Sequence, residues 1–285
     1  MKITNILIVG NKGKYGHFFT QFFSSLEYQV RGIDKGDPHE EAADWAEVIL
    51  FSVRPIKALL AVMEKLLPRR LAGQLWIEIA SRKDRVAEFV RNNHVKNVLS
   101  IHPMRRPPAD GMNLRGSNVV LTGKPVEIEW ISWVSDFLKQ LGGEVTFTDT
   151  ATHEKLVVTY GQAVPHDLLL LLVSVLWKRG IDLPKLLSVS SPVFKILISL
   201  SARMLQGDAG LYAELQVNNS HAVTMLSTLE ALSRRLREMI AKGDSREFER
   251  EFVFARNYIG DAQLKELAGL SEKLVETVSP KTEKS

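Results

Sequence analysis

Asn5 to Val9, NILIV, is an unbroken run of mostly branched apolar residues. That is the pattern of a strand buried on both faces of a parallel sheet. It ends in Gly10-Asn11-Lys12-Gly13-Lys14-Tyr15-Gly16, and HFFTQFFSSL, His17 to Leu26, then places aromatics near helical spacing. YQVRGID, Tyr28 to Asp34, predicts a second strand that stops at a carboxylate. The alternation continues with strands over Ala46–Val53, Leu75–Ser81, Val95–His102, Ser117–Gly123 and Glu144–Asp149. Helices are predicted at Ile56–Leu67, Asp84–Asn92 and the stretch holding Trp130, Trp133 and Phe137. Strands alternating with helices predict an α/β fold, a doubly wound, mostly parallel sheet of the Rossmann type.

After Asp149 the strand pattern stops. Ala151–Lys178, Asp182–Val189, Val193–Gln206, Leu211–Met239, Ser245–Ile259 and Ala262–Val278 all read as helices, with Pro165 expected to kink or restart the first. A domain division near residue 150 follows, with 1–150 binding a dinucleotide and 151–285 forming an all-helical domain. The polar tail Ser279–Ser285 is expected to fray.

The glycine turn gains a purpose from what flanks it. Between a strand and a helix, glycines allow a tight turn and a close approach of backbone to a pyrophosphate, at a helix start that favours anions. The cofactor-binding group is Gly10, Asn11, Lys12, Gly13, Lys14, Tyr15, Gly16, Asp34 and Ser52. Asp34, 24 residues after Gly10, stands where an acid accepts hydrogen bonds from a ribose diol and repels a 2′-phosphate. The expected cofactor is therefore NAD. The run is GxxGxxG, with Asn11 where the common GxGxxG pattern has its second glycine. Asn tolerates left-handed dihedrals, so the turn is expected to survive. The competing reading is an ordinary turn of an α/β domain.

Ligands of such sheets bind beyond the strands' C-terminal ends. Ser52, Ser81 and His102 are placed there with the glycine turn. A strand-end histidine is also compatible with a satisfied core group. In the helical half His153, Gln162, His166, Lys195 and Arg203 stand out. Lys195 and Arg203, eight apart, fall about two turns apart on one face, which suits a dianionic substrate or a solvated surface. The apolar surroundings of Arg203 argue against its full exposure.

Composition narrows the classes. With 45% hydrophobic and 25% charged residues the chain is globular. Zero cysteines exclude disulfides, thiolate metal sites and cysteine nucleophiles, and fit a reducing, cytoplasmic compartment. No metal ligand set is assigned. The net charge of +4 is spread over separated pairs such as Arg69-Arg70 and Arg234-Arg235, so no nucleic-acid partner is expected. The start lacks a secretion signal, and the apolar run Leu168–Trp177, ten residues, is too short to span a bilayer, so no membrane is expected. That run does need cover, which a homodimer would supply.

These residues carry a resemblance to the prephenate dehydrogenase family over almost the whole chain. It rests on LIVGNKGKYG (7–16), IASRKD (79–84), SIHPM (100–104), QAVPHD (162–167) and SSPVFKILISLSARMLQGDAGLYAEL (190–215). The last block is the most specific. The resemblance implies an NAD(P)-binding domain, a helical dimerisation domain and oxidative decarboxylation of prephenate to 4-hydroxyphenylpyruvate. It implies that His102 contacts the ring hydroxyl losing its proton and that Ser81 orients that hydroxyl. It further implies substrate roles for His166 and Arg203, with Lys195 an auxiliary cation. Arg105-Arg106-Pro107 replaces the Phe-Gly-Pro common after His-Pro-Met, which leaves arogenate or an amino-substituted prephenate open. The spacing from His153 to His166 is one residue longer than usual. One residue turns a helical side chain by about 100°, so no role is carried over to His153. No fused mutase or regulatory domain is expected, since the helical region takes up the rest of the chain. Two other classes stay open: a β-hydroxyacid dehydrogenase using Lys195, and an NAD-binding homologue without turnover.

Overall fold

The structure, a computed structural model, describes residues 3–38, 40–105, 113–123, 126–217 and 219–279. Arg106 and the tail beyond Ser279, both singled out above, lie outside these residues. The chain divides into two compact units, Met1–Tyr160 and Gly161–Ser285. The first therefore includes the first turns of helix after the last strand.

The first unit is a seven-stranded sheet in the order β2-β1-β3-β4-β5-β6-β7. Its strands are β1 (Asn5–Val9), β2 (Gln29–Ile33), β3 (Val48–Phe51), β4 (Leu75–Glu78), β5 (Val98–Pro103), β6 (Asn118–Thr122) and β7 (Glu144–Phe147). Every neighbouring pair is parallel except β5 with β6, which is antiparallel. Alternate side chains of one strand point to opposite faces. Ile6 and Ile8 accordingly enter a core with Phe19 and Phe23 of α1 (Lys14–Ser25) and Phe137 of α5 (Ile128–Gln140). Leu7 and Val9 enter the opposite core with Leu59 and Met63 of α3 (Ile56–Leu66) and Val86 of α4 (Asp84–Asn92). Ala42 and Ala43 of the short α2 (Glu40–Trp45), which the apolar pattern did not predict, complete that second core.

The strand order reverses beside β1, because β2 and β3 lie on its two sides. That switch point is where open α/β sheets leave a crevice for ligands. The ends of β1 and β3 frame it.

After β7 come α6 (Thr150–Thr152), a π-helical segment (His153–Ala163) and α7 (Val164–Lys178). Asp149 caps the start, its carboxylate accepting from the Thr152 N–H at 2.9 Å. Pro165 does not break this helix, because it sits at the first turn of α7, where the tighter ladder restarts. The apolar run thus belongs to a helix of 29 residues, Thr150–Lys178, with a mean hydropathy of 1.5 in its most apolar window. By length and composition alone that helix could cross a bilayer, which corrects the argument from a ten-residue run. Its first turns, however, bury His153, Glu154 and Val158 in the first unit.

The second unit is helical throughout its described residues. It contains α7, α8 (Leu183–Ser188), α9 (Pro192–Leu205), α10 (Ala209–Gln216), α11 (Ser220–Lys242), α12 (Ser245–Ile259) and α13 (Asp261–Val278). The single helix predicted over Leu211–Met239 is two. Asn219 caps the second, its side-chain oxygen accepting from the N–H groups of His221 and Ala222. α9 packs against α7 and α13.

Candidate active site

Gly10 carries the turn's left-handed backbone, with φ of +84°. A Cβ there would stand 2.4 Å from the Ser52 carbonyl oxygen, so the ends of β1 and β3 meet only through glycine. Gly16 is held as tightly, since a Cβ would lie 2.0 Å from the Gly10 carbonyl oxygen. Gly13 differs. Its φ of −71° suits any residue, and an added Cβ would stand 3.3 Å from the Gly10 oxygen and 3.9 Å from the Ser52 oxygen. Gly10 and Gly16 thus shape the turn, and Gly13 leaves room at the start of α1, which no side chain caps.

Asn11 does not adopt a left-handed conformation, contrary to expectation. Its side chain lies over Gly32 of β2, where a Cβ would come within 2.2 Å of Asn11 Nδ2. The missing second glycine is accommodated by a glycine on the neighbouring strand. Asp34 follows β2, and its carboxylate accepts from the Lys12 and Lys35 N–H groups at 3.1 and 2.8 Å. This ties the acid to the glycine turn, and the set fits a dinucleotide with an unphosphorylated ribose. The Tyr15 ring instead stacks on Phe19, and its hydroxyl donates to the Arg105 carbonyl. Burial pushes the Tyr15 phenol upward, and with its hydroxyl given to that carbonyl its backbone is the part left to face a phosphate.

Ser52, Ser81 and His102 follow or end β3, β4 and β5, along the same edge of the sheet. Ser81 is half-buried in the bend after β4. His102 is buried, with 3% of its surface exposed, and it is not alone. Its Nδ1 lies 2.9 Å from His153 Nε2. His153 Nδ1 lies 3.4 Å from Glu154 Oε1. The same carboxylate accepts from the Lys83 N–H at 2.7 Å and pairs with Arg82 Nε at 3.3 Å. The fully buried Lys83 ammonium donates to Glu78 Oε1 and to the Ile101 carbonyl, both at 2.9 Å.

These contacts set the protonation states. Burial, then the charge of Lys83, then His153 hold His102 well below the usual histidine range. Burial would raise the Glu154 carboxyl, but the hydrogen bonds from His153 and Lys83 and the charge of Arg82 outweigh it and hold it low. Burial lowers the Lys83 ammonium, opposed chiefly by Glu78. The cluster therefore presents a neutral imidazole backed by a carboxylate.

The sequence did not single out Glu78, Arg82, Lys83 or Glu154. Charged residues within IASRKD and beside His153 were the available signal. His153 to Ala163 are π-helical, with a ladder that carries one more residue per hydrogen bond than an α-helix. Thr159, fully buried, donates its hydroxyl to the Glu154 carbonyl at 2.9 Å and ties that segment's start.

In the second unit His166 is half-buried, and its ring meets Tyr212 edge-on at 4.7 Å. Its Nδ1 is buried without a hydrogen-bond partner among the described residues, and burial lowers its pKa. Lys195 and Arg203 both lie on α9, near its two ends. Arg203 is exposed in the single chain. α9 turns Ser201 and Met204 inward, leaving Ala202, Arg203 and Leu205 outside.

No protein-family model matches the chain. It is similar to the T-protein of Haemophilus influenzae, 26% identical over 268 residues, covering 91% of this chain and 68% of that protein. It is also similar to a probable arogenate/prephenate dehydrogenase of Methanocaldococcus jannaschii, 24% identical over 305 residues, covering 100% and 68%. Among solved structures it resembles A. aeolicus prephenate dehydrogenase in complex with hydroxyphenyl propionate and NAD+, with a TM-score of 0.71 and 19% identity over 94% of this chain and 99% of that one. Synechocystis arogenate dehydrogenase gives 0.70 and 18% over 95% and 99%. At these identities the structural likeness speaks for the fold.

Proposed function

The chain belongs to the prephenate dehydrogenase family, and we propose that it oxidatively decarboxylates prephenate to 4-hydroxyphenylpyruvate with NAD as hydride acceptor. The single observation that carries this reading is the buried, neutral His102 at the strand-end edge that also bears the glycine turn.

The substrate is a cyclohexadiene with a ring hydroxyl and a quaternary ring carboxylate. NAD, when bound, takes up the hydride from the hydroxyl-bearing carbon. The turn from Gly10 to Gly16 and the start of α1 would hold its pyrophosphate, and Asp34 its ribose. His102 accepts the hydroxyl proton, and a neutral imidazole is the form that can do so. As the carbonyl develops, the opposite carboxylate departs as CO₂ and the ring becomes aromatic. Ser81 orients the hydroxyl. Arg203 grips a substrate carboxylate through its planar fork of donors, with His166 and Lys195 as further substrate contacts. A homodimer and a cytoplasmic location belong to the same proposal.

Arogenate is the second reading, favoured by the names of two relatives. Mixing the protein with prephenate, arogenate or amino-prephenate and either NAD or NADP separates the readings by the absorbance of reduced nicotinamide. Rapid reduction with prephenate and NAD is expected. Absence of reduction with every pair would leave a binding protein without turnover. In the active pair, His102→Asn is expected to lower kcat by roughly 10²–10⁴ with NAD affinity nearly unchanged. Normal turnover in that variant would remove His102 from the chemistry.

A further inference from the structure

His102 poses a problem for its own proposed role. A base must carry the proton it takes, yet His102 is buried and feels the charge of the Lys83 ammonium, whose partner Glu78 is equally buried. From β6 the residue paired with it is Val120, which offers no counter-charge. Its ring meets His153, and through His153 it is linked to Glu154 and Arg82.

We infer that His153 and Glu154 form a proton relay behind His102, which fixes its tautomer and carries away the proton it accepts. The inference rests on the reading of His102 as proton acceptor. Its direction follows from the donors and acceptors. An ionised carboxylate only accepts, so His153 donates from Nδ1 to Glu154. In the relay, His153 Nε2 is the acceptor for His102 Nδ1–H across 2.9 Å. His102 Nε2 is left unprotonated, the form required to take a proton from a hydroxyl.

The transfer balances along the same line. The hydroxyl proton goes to His102 Nε2. The His102 Nδ1 proton goes to His153 Nε2, and the His153 Nδ1 proton goes to Glu154. Each imidazole gains one proton and loses one, so neither changes its charge, and Glu154 is transiently protonated. Glu154 is the most exposed of the three, its side chain 11% exposed against 0% for His153 and 3% for the whole His102 residue. Arg82 favours the return of its carboxylate to the charged form, so the proton passes to water there. Charge is thus never trapped beside Lys83.

Two variants test this. Glu154→Gln removes the charge while keeping an acceptor for the Lys83 N–H. His153→Gln keeps an acceptor for His102 Nδ1–H but cuts the onward path. With saturating substrate and NAD, each is expected to lower kcat by about 10- to 100-fold, part of the usual acid–base contribution, with KM values nearly unchanged. Without the carboxylate the imidazole binds its proton less well, so the acidic limb of the kcat–pH profile moves to lower pH in Glu154→Gln. Rates in mixtures of light and heavy water should bow in the parent protein and run straight in both variants. Glu154→Asp should recover part of the rate, and serves where Glu154→Gln folds poorly.

Nitrogen-detected NMR of the imidazoles in the ligand-free protein gives a readout apart from turnover. The His102 proton is expected on Nδ1, and Glu154→Gln should change the His153 ring signals. A proton on His102 Nε2 overturns the relay. So does an unmoved acidic limb, or a loss confined to KM or thermal stability. Should His102→Asn be inactive while Glu154→Gln matches the parent protein, the relay alone falls. Normal turnover by His102→Asn removes both the relay and the reading beneath it.

Discussion

At the scale of single residues, a cost accepted for chemistry appears as a pH-dependent stability. His102 is held neutral by burial and by Lys83, whereas in the unfolded chain it titrates near about 6.5. Below that pH the unfolded chain binds a proton that the folded chain refuses. By linkage, folding stability then falls as pH drops, from the ordinary histidine pKa down to the depressed folded value. Glu154 acts in the same sense at lower pH. Its folded pKa is depressed, so its contribution is present above the ordinary carboxyl range and lost as pH falls through the folded value. Urea unfolding between about pH 8 and pH 5 should therefore show a falling midpoint, with a shallower fall in His102→Asn. Equal slopes in the two proteins would mean that another group dominates the linkage.

At the scale of elements, the glycine turn separates shape from binding. Gly16→Ala forces a Cβ to 2.0 Å from the Gly10 oxygen, and backbone at both sides cannot yield. A loss of about 1–3 kcal/mol or more in unfolding free energy is expected, typical of overpacking. Gly13→Ala needs only a few tenths of an ångström of movement, so its fold should hold while the new methyl obstructs a pyrophosphate. Nicotinamide titration should therefore show weakened NAD binding with unchanged unfolding only for Gly13→Ala. Unaltered NAD affinity in that variant would place the pyrophosphate elsewhere.

The same turn shows what the sequence made legible. Strand, glycine run, helix, strand and acid were readable because both faces of β1 are apolar and Asp34 directly follows β2. Asn11 was not, because its side chain is housed by Gly32, a position remote in sequence. The pairing of His102 with His153 was equally hidden. It joins residues 51 apart in the chain, and nothing local to either announces the contact. α9 shows a third limit. Eight-residue spacing placed Lys195 and Arg203 along one side, but an apolar neighbourhood in sequence said nothing about which neighbours face inward.

At the scale of the whole molecule, the two units differ in how much they bury. Both clusters of buried apolar side chains lie within the first unit. In the second, α7 leaves Leu168, Leu171, Val175 and Trp177 between 45% and 76% exposed, and α12 leaves Phe252 and Phe254 at 67% and 65%. A helical unit with that little cover lacks the burial needed to offset the entropy of folding. Exposed patches on this scale mark surfaces that meet something, and a second copy through the helical unit is the proposed cover. Light scattering should then give twice the mass of one chain. Because folding and association would be coupled, the unfolding midpoint should rise with protein concentration. Replacing Trp177 and Phe252 together with glutamate should lower that midpoint and remove its concentration dependence. A single-chain mass at micromolar concentration, with a midpoint indifferent to dilution, would overturn the dimer. A requirement for detergent would overturn it in favour of lipid, since Thr150–Lys178 has the length and hydropathy for a bilayer. The polar start of that helix, His153 and Glu154 buried against β5 and the chain after β4, argues for the dimer.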